Sequence, residues 1–212
     1  MKTGLLVCLL ASALSAIGAE SLSEWTAHPT DWKGAAITGT SATLTGDKWS
    51  SLRAPKELAD AHLAATVTIL EPAKTTRFFG QGWSAWPDAT FSDGGFDAGL
   101  ILRAGTNSGY RVQLSHKYQV VALVKWPEGG YVRVVPFAVK LKEPHKLAVS
   151  VQGSRISVRV DGVDKIAWDD VFLPLASGAA GIAVQDGAKA TFSDVLLEPA
   201  PSITRQIGRA HV

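Results

Sequence analysis

The 212-residue chain has one cysteine, Cys8, and charged residues make up only 19% of it, 21 basic against 19 acidic. Cys8 falls in the apolar leader described below, so a mature chain has no thiol, which excludes a disulfide framework and a cysteine nucleophile. The charge balance leaves no basic patch, so nucleic acid is not an expected partner. No long apolar run follows the leader, and no membrane span is expected in the mature chain. A Gly-x-Ser-x-Gly elbow is absent, which removes one route to serine hydrolysis. His28, His62, His116 and His145 stand far apart, none at ligand spacing, so a zinc motif is absent as well. Also missing is any convincing amphipathic helix.

What is present begins with a leader. Lys2 supplies a positive n-region, Leu5 to Leu14 an apolar h-region, and Ser15 to Ala19 a small-residue cleavage zone, so residues 1–19 read as a signal peptide cut after Ala19 or Ala16. Export to the periplasm or the extracellular space is the expectation. At the other end, Pro199 to Gln206 reads as the start of a linker, and Ile207 to Val212 as a translated sequencing-library adapter. The natural chain is therefore expected to run on past Gln206, with further carboxyl-terminal domains as possible partners.

Between these ends the signal is strand and turn. Leu147, Val149 and Val151 alternate with small or polar residues, as do Ile156, Val158 and Val160, the period of strands with one buried face. Gln152-Gly153-Ser154 and Asp161-Gly162 separate them, and Asp-Gly supplies the positive φ values of a two-residue hairpin. Similar segments run from Ser41 to Thr45, Trp49 to Arg53, His62 to Leu70, Phe96 to Arg103, Gly109 to His116, Gln119 to Trp126, Tyr131 to Val139, Gly181 to Gln185 and Ala190 to Glu198. Pro55 to Asp60 reads as a loop or a helical turn. Thr75 to Gly95, dense in aromatics and glycines, reads as a long loop at the mouth of the fold. Some dozen short strands with turn chemistry between them predict an all-β antiparallel two-sheet sandwich over residues 21–198.

The series FDAGLILRAG, GYRVQLSH, HKLAVSVQGSRISVRVDGV and GAAGIAVQDGAKATFSDVLLEP resembles the concanavalin A-like, laminin-G-like jelly-roll domains. Within them it is most similar to the 3-keto-disaccharide hydrolase domains of exported bacterial proteins. The resemblance covers about the last two-thirds of the mature chain. It implies a jelly roll that binds or cleaves carbohydrate, often as an accessory module, with one sheet face open as a groove. By alternation Arg103 is expected opposite Leu100 and Leu102, Arg111 and Gln113 opposite Tyr110, Val112 and Leu114, and Lys125 opposite Val120, Ala122 and Val124. That makes a polar strip of amide and cationic donors, and Trp83, Trp86, Trp126 and Tyr131 are candidates for rings that cover sugar C–H faces. The plainer alternative is a solvated sheet face with tryptophans in the core or a lid.

Support for catalysis is thinner. Glycoside hydrolysis ordinarily needs two facing carboxyl groups, and the Glu-x-Asp-x-x-Glu strand of jelly-roll glucanases is not here. Glu57, Glu71, Glu128 and Glu143 fall in loops or at strand ends, and Glu198 closes the last strand. In the resembled branch Gln185-Asp186-Gly187 often reads Gln-Asp-His, and this chain has glycine where that histidine stands. Asp97, Arg103 and Arg111 are the remaining catalytic candidates, an arginine serving to stabilise developing negative charge. Asp88, Asp93 and Asp97 are candidates for a calcium ion, a hard cation that takes oxygen ligands. No other cofactor is expected. The leading expectation is an exported carbohydrate-binding module of a longer protein; the alternative is a hydrolase of glycosides or 3-keto-disaccharides.

Overall fold

The structure is a computed structural model that describes residues 21–29, 32–46, 49–74, 96–126 and 130–200, with the backbone alone at 130 and 131. Fourteen strands and no helix occur among the described residues. One sheet has the order β1 (Thr26–His28), β4 (Ser50–Leu58), β13 (Gly178–Val184), β6 (Ala98–Ala104), β7 (Gly109–Ser115), β8 (Val120–Trp126), β9 (Gly130–Pro136). The other runs β12 (Val163–Asp169), β11 (Arg155–Val160), β10 (Pro144–Gln152), β5 (Ala61–Glu71), β14 (Lys189–Pro199), β3 (Ser41–Thr45), β2 (Ala35–Thr38). We call them the front and back sheets. Every pairing is antiparallel.

The β10–β11–β12 meander follows its sequence closely. Leu147, Val149 and Val151 pair with Val160, Val158 and Ile156, so all six point into one core. Asp161 (φ 50°) and Gly162 (φ 80°) both take the left-handed region, and Val160 and Val163 pair across them, which is the expected two-residue reversal. The core between the sheets collects the inward set of each strand: Leu63, Val67 and Ile69 of β5, Leu100 and Leu102 of β6, Val112 and Leu114 of β7, Ile182 and Val184 of β13, Phe192 of β14. Trp25 packs against it near the amino-terminal end of the described chain.

Three expectations are corrected. Pro55–Leu58 continues strand β4 instead of forming a loop or helical turn. Pro55 has no N–H to give the ladder, and residues 55–57 are exposed. Strand β8 has the opposite phase to the one expected: Val121 and Leu123 enter the inter-sheet core, and Val120 and Ala122 join Phe96 in a second cluster on the outer side. Val120 to Val124 is an unbroken apolar run buried on both faces, so it has no alternation to read. The register with β7, Val112 opposite Leu123, decides the phase. Finally, Arg103 has φ 48° at the point where the β6–β13 register shifts. A bulge there adds a residue and turns its side chain off the expected face.

Candidate functional site

The outer face of the front sheet carries the expected strip, but it is not an ordinary wet face. Ile101, Ala104 and Ala183 are buried there in a cluster of their own, with Trp49, Trp126 and Ala179 packed over them. On this floor the Arg111 guanidinium carbon lies 4.5 Å from the centroid of the Trp49 ring and 5.1 Å from that of Trp126. A planar cation against aromatic faces is held electrostatically as well as by packing. All three side chains are half-buried. Each is placed by its strand: Trp49 immediately precedes β4, Arg111 is central in β7, and Trp126 ends β8 directly opposite Gly109. That glycine is required. A Cβ at residue 109 would lie 2.0 Å from the Trp126 ring, so only glycine lets the indole lie on the sheet.

Further along the same face, Gln113 Nε2 donates to Gln185 Oε1 (3.0 Å), and Gln185 Nε2 donates to Asp186 Oδ2 (3.0 Å). Gln113 on β7 reaches Gln185, just past the end of β13, across Gly99 of β6, which pairs with Gln113 on one side and Ala183 on the other. Gln113 is 3% exposed, so it is buried in this amide chain and not offered to water as expected.

Two other members of the expected strip are corrected outright. Arg103 is 4% exposed and spends its guanidinium on the frame. It donates to the carbonyls of Ala59, Gly153 and Leu175 and pairs with Asp60 at 3.1 Å, joining three connections at one end of the sandwich. Lys125, on the inner side of β8, pairs with Asp170 at 2.8 Å and donates to the carbonyls of Phe172 and Leu173. Tyr110 completes this buried group, donating to Asp170 Oδ2 at 2.6 Å and accepting from the Leu175 N–H. Burial first, and the bond to Asp170 second, push the Tyr110 hydroxyl up to about 12. Neither Arg103 nor Lys125 is placed to meet a ligand or to stabilise a reacting oxyanion.

Asp97 also serves the frame. Its Oδ1 accepts from Ala73 N (2.7 Å) and its Oδ2 from His116 N (2.6 Å), tying the chain after β5 to the β7–β8 turn. Desolvation raises its pKa above the ordinary value, and the two backbone N–H groups pull it part of the way back. With each oxygen already bound, the carboxyl is not poised to protonate a leaving group. Among the described residues no three His, Cys, Asp or Glu side chains converge on a possible metal position. Asp88 and Asp93, the other calcium candidates, lie outside the described residues, as do Trp83 and Trp86; Tyr131 sits in β9 with its side chain outside them.

Of the expected site, then, the structure brings together Arg111 and Trp126 and adds Trp49 and Gln185, which the sequence left without a role. Trp126 was expected as a ring beside the strip, and its place on the outer face follows from the reversed phase of β8 and its pairing with Gly109. Trp49 reaches the site only through the sheet order, which sets β4 two strands from β6.

No family profile matches the chain, and no curated protein matches it by sequence. Solved structures match it widely by shape. The carbohydrate-binding module CBM66 from Bacillus subtilis superposes with a TM-score of 0.63 at 20% identity, over 82% of this chain and 95% of its own. A Bacillus subtilis protein of unknown function with a galectin-like fold gives 0.61 at 10% identity, over 88% and 95%. The β-glucanase of Bacillus licheniformis gives 0.56 at 10% identity, over 79% and 83%. At these identities what is shared is the architecture, and on that ground the chain is a galectin-like, concanavalin A-like jelly-roll sandwich.

Proposed function

We propose that the protein is an exported carbohydrate-binding module, one part of a longer protein, and that Trp49, Arg111 and Trp126 are the centre of its glycan contact. The observation that carries this reading is the guanidinium held between two half-exposed indoles on the outer face of a jelly-roll sheet. Sugars present C–H faces that pack on aromatic rings and hydroxyls that accept from N–H donors, and this cluster offers both within one side-chain radius. The cluster is also preorganised, because Gly109 and the alanine floor fix the rings before any ligand arrives. A carbohydrate-binding module among the neighbours in fold agrees with the reading.

The test is binding of the purified chain to a panel of polysaccharides by affinity electrophoresis, with Trp126→Ala beside it. Truncating a central aromatic anchor is expected to weaken retention by about thirtyfold, a hot-spot loss of about 2 kcal/mol. A folded Trp126→Ala protein retained as strongly as the parent would overturn the assignment of the site, and retention on no glycan would overturn the function. The finer alternative, a 3-keto-disaccharide hydrolase, is supported by the sequence resemblance alone. Release of product from 3-keto-glucosides would put it in place of simple binding.

A further inference from the structure

The outer face of the back sheet holds a trough that the front-sheet site does not use. Strand register lays its outward side chains in rows across the sheet. One row is Ser157, Ser150, His62 and Glu198; the next is Arg159, Ala148, Ala64 and Leu196; a third begins with Lys146, Thr66 and Ser193. Rows are about 7 Å apart, two residues along a strand. Because the middle row has alanine at two adjacent positions, the surface sinks between its neighbours. Two depressions of about 360 and 280 Å³ result, and they share Ala148 and Arg159, so they form one trough from β14 across to β12. Four strand spacings make this about 19 Å.

The walls are built as well as polar. His62 Nδ1 and Ser150 Oγ are 2.6 Å apart, Thr66 Oγ1 donates to Asp194 Oδ2 at 3.0 Å, and Arg159 Nε donates to Asp164 Oδ1 at 2.9 Å. Asp194 is there by way of a bulge: the β14–β5 register shifts between Ser193 and Leu196, and Asp194 takes φ 51°. An aspartate in the left-handed region within a central strand is a cost the fold bears to carry that carboxylate on the outer face while Val195 fills the core.

We propose that this trough is a second carbohydrate site, for an uncharged, hydroxyl-rich oligosaccharide, so that one molecule holds glycan on both outer faces. The chemistry of the lining selects the class. Lys146 and Arg159 are balanced by Asp164 and Asp194, so a polyanion gains no net attraction. The floor is the methyl groups of Ala64 and Ala148, with Leu196 at its β14 end the one larger apolar side chain of the row and no aromatic ring, so an acyl chain or an apolar peptide side chain finds no deep pocket. Backbone N–H and C=O groups are consumed in the ladders, so an extended peptide cannot add as a strand on this face. What fits is a chain whose C–H face lies on Ala64 and Ala148 and whose hydroxyls both donate to and accept from hydroxyl, imidazole and carboxylate groups on either wall. The inference rests on the glycan-binding reading above but on different residues.

The test uses the full chain, ¹⁵N-labelled, titrated separately with the linear hexasaccharides of glucose, xylose and mannose. With one of these, amide shifts are expected at Ala64, Ala148, Ser150 and Arg159 as well as around Arg111 and Trp126. Ala148→Trp, which fills the trough from an outward position, is expected to lose the first group of shifts and keep the second. Trp126→Ala is expected to do the reverse. Shifts confined to the front sheet in the parent protein would overturn the second site and leave the first reading standing, and that result needs no variant to fold. Shifts confined to the trough would support the second site and overturn the first. No shift with any hexasaccharide would overturn both.

Discussion

The two outer faces of this sandwich differ more than the two sheets do. Both sheets have seven strands and share one core. On the front sheet the outward residues Ile101, Ala122 and Ala183 are fully buried, and the polar residues among them are bonded to one another or stacked on rings. On the back sheet the outward residues of β5 and β10 include His62, Ala64, Thr66, Thr68, Lys146, Ala148 and Ser150, each half-buried or exposed. An antiparallel sheet can leave one face in water; here only one of the two does so. The lesson is that outward-facing by alternation and outward-facing to solvent are separate properties, and the chain uses the difference to seat an arginine between two tryptophans.

The sharpest way to break the comparison is to attack the buried ion pair on the inner side of β8. Lys125→Met leaves Asp170, 2% exposed at its side chain, with Tyr110 but without its cation. Removing one partner of a buried pair costs about 3–5 kcal/mol, and urea denaturation should register a loss of that size. A loss under 1 kcal/mol would mean that Lys125 is not sealed beneath the front sheet.

Next in size is a matched pair of truncations at outward positions. Ile101→Ala on β6 is expected to cost about 2–5 kcal/mol, as in any core, because Ile101 is 0% exposed. Thr68→Ala on β5 is expected to stay within about 0.5 kcal/mol, as on ordinary surfaces. Equal losses from the two, by thermal or urea unfolding, would erase the distinction between the faces.

Much of the architecture was legible in the chain because period-two alternation and turn residues agree, as in Leu147 to Val163, where register, faces and the Asp161-Gly162 reversal all follow. Legibility failed where the pattern carries no phase. Val120 to Val124 offers five apolar residues in a row, and only pairing with β7 shows which of them face the core. It failed again at Arg103, whose side chain is turned by a bulge; nothing in Leu-Ile-Leu-Arg-Ala marks an extra residue. At the site, Arg111 came from alternation and Trp126 from its aromatic ring alone, since the alternation expected for β8 put residue 126 on the core side with Val120, Ala122 and Val124. Trp49 came from neither, since it is brought there by a sheet order that pairs β13 between β4 and β6. The rings expected from Trp83, Trp86 and Tyr131 are not among the side chains described.

The smallest expected effect is a pH dependence that belongs to the front sheet. Asp97 is 1% exposed at the entry to β6, and burial raises its pKa above the ordinary 3.8 despite two backbone N–H partners. In the window between 3.8 and that raised value the folded state binds more protons than the unfolded state, so stability falls as pH rises. Asp97's contribution is fully present below 3.8 and is lost as pH climbs through the folded value. One group titrating gives a slope of at most about 1.4 kcal/mol per pH unit. The measurement is urea unfolding of the parent and Asp97→Asn from pH 3 to 7. Asparagine keeps one acceptor and turns a donor toward the other backbone N–H, so the variant is weaker throughout. Its deficit should be greatest at acid pH and shrink toward neutrality, as the buried carboxyl of the parent loses its proton. A deficit that grows with pH would show that the two N–H groups from Ala73 and His116 outweigh desolvation, and that Asp97 is held as a stabilised carboxylate.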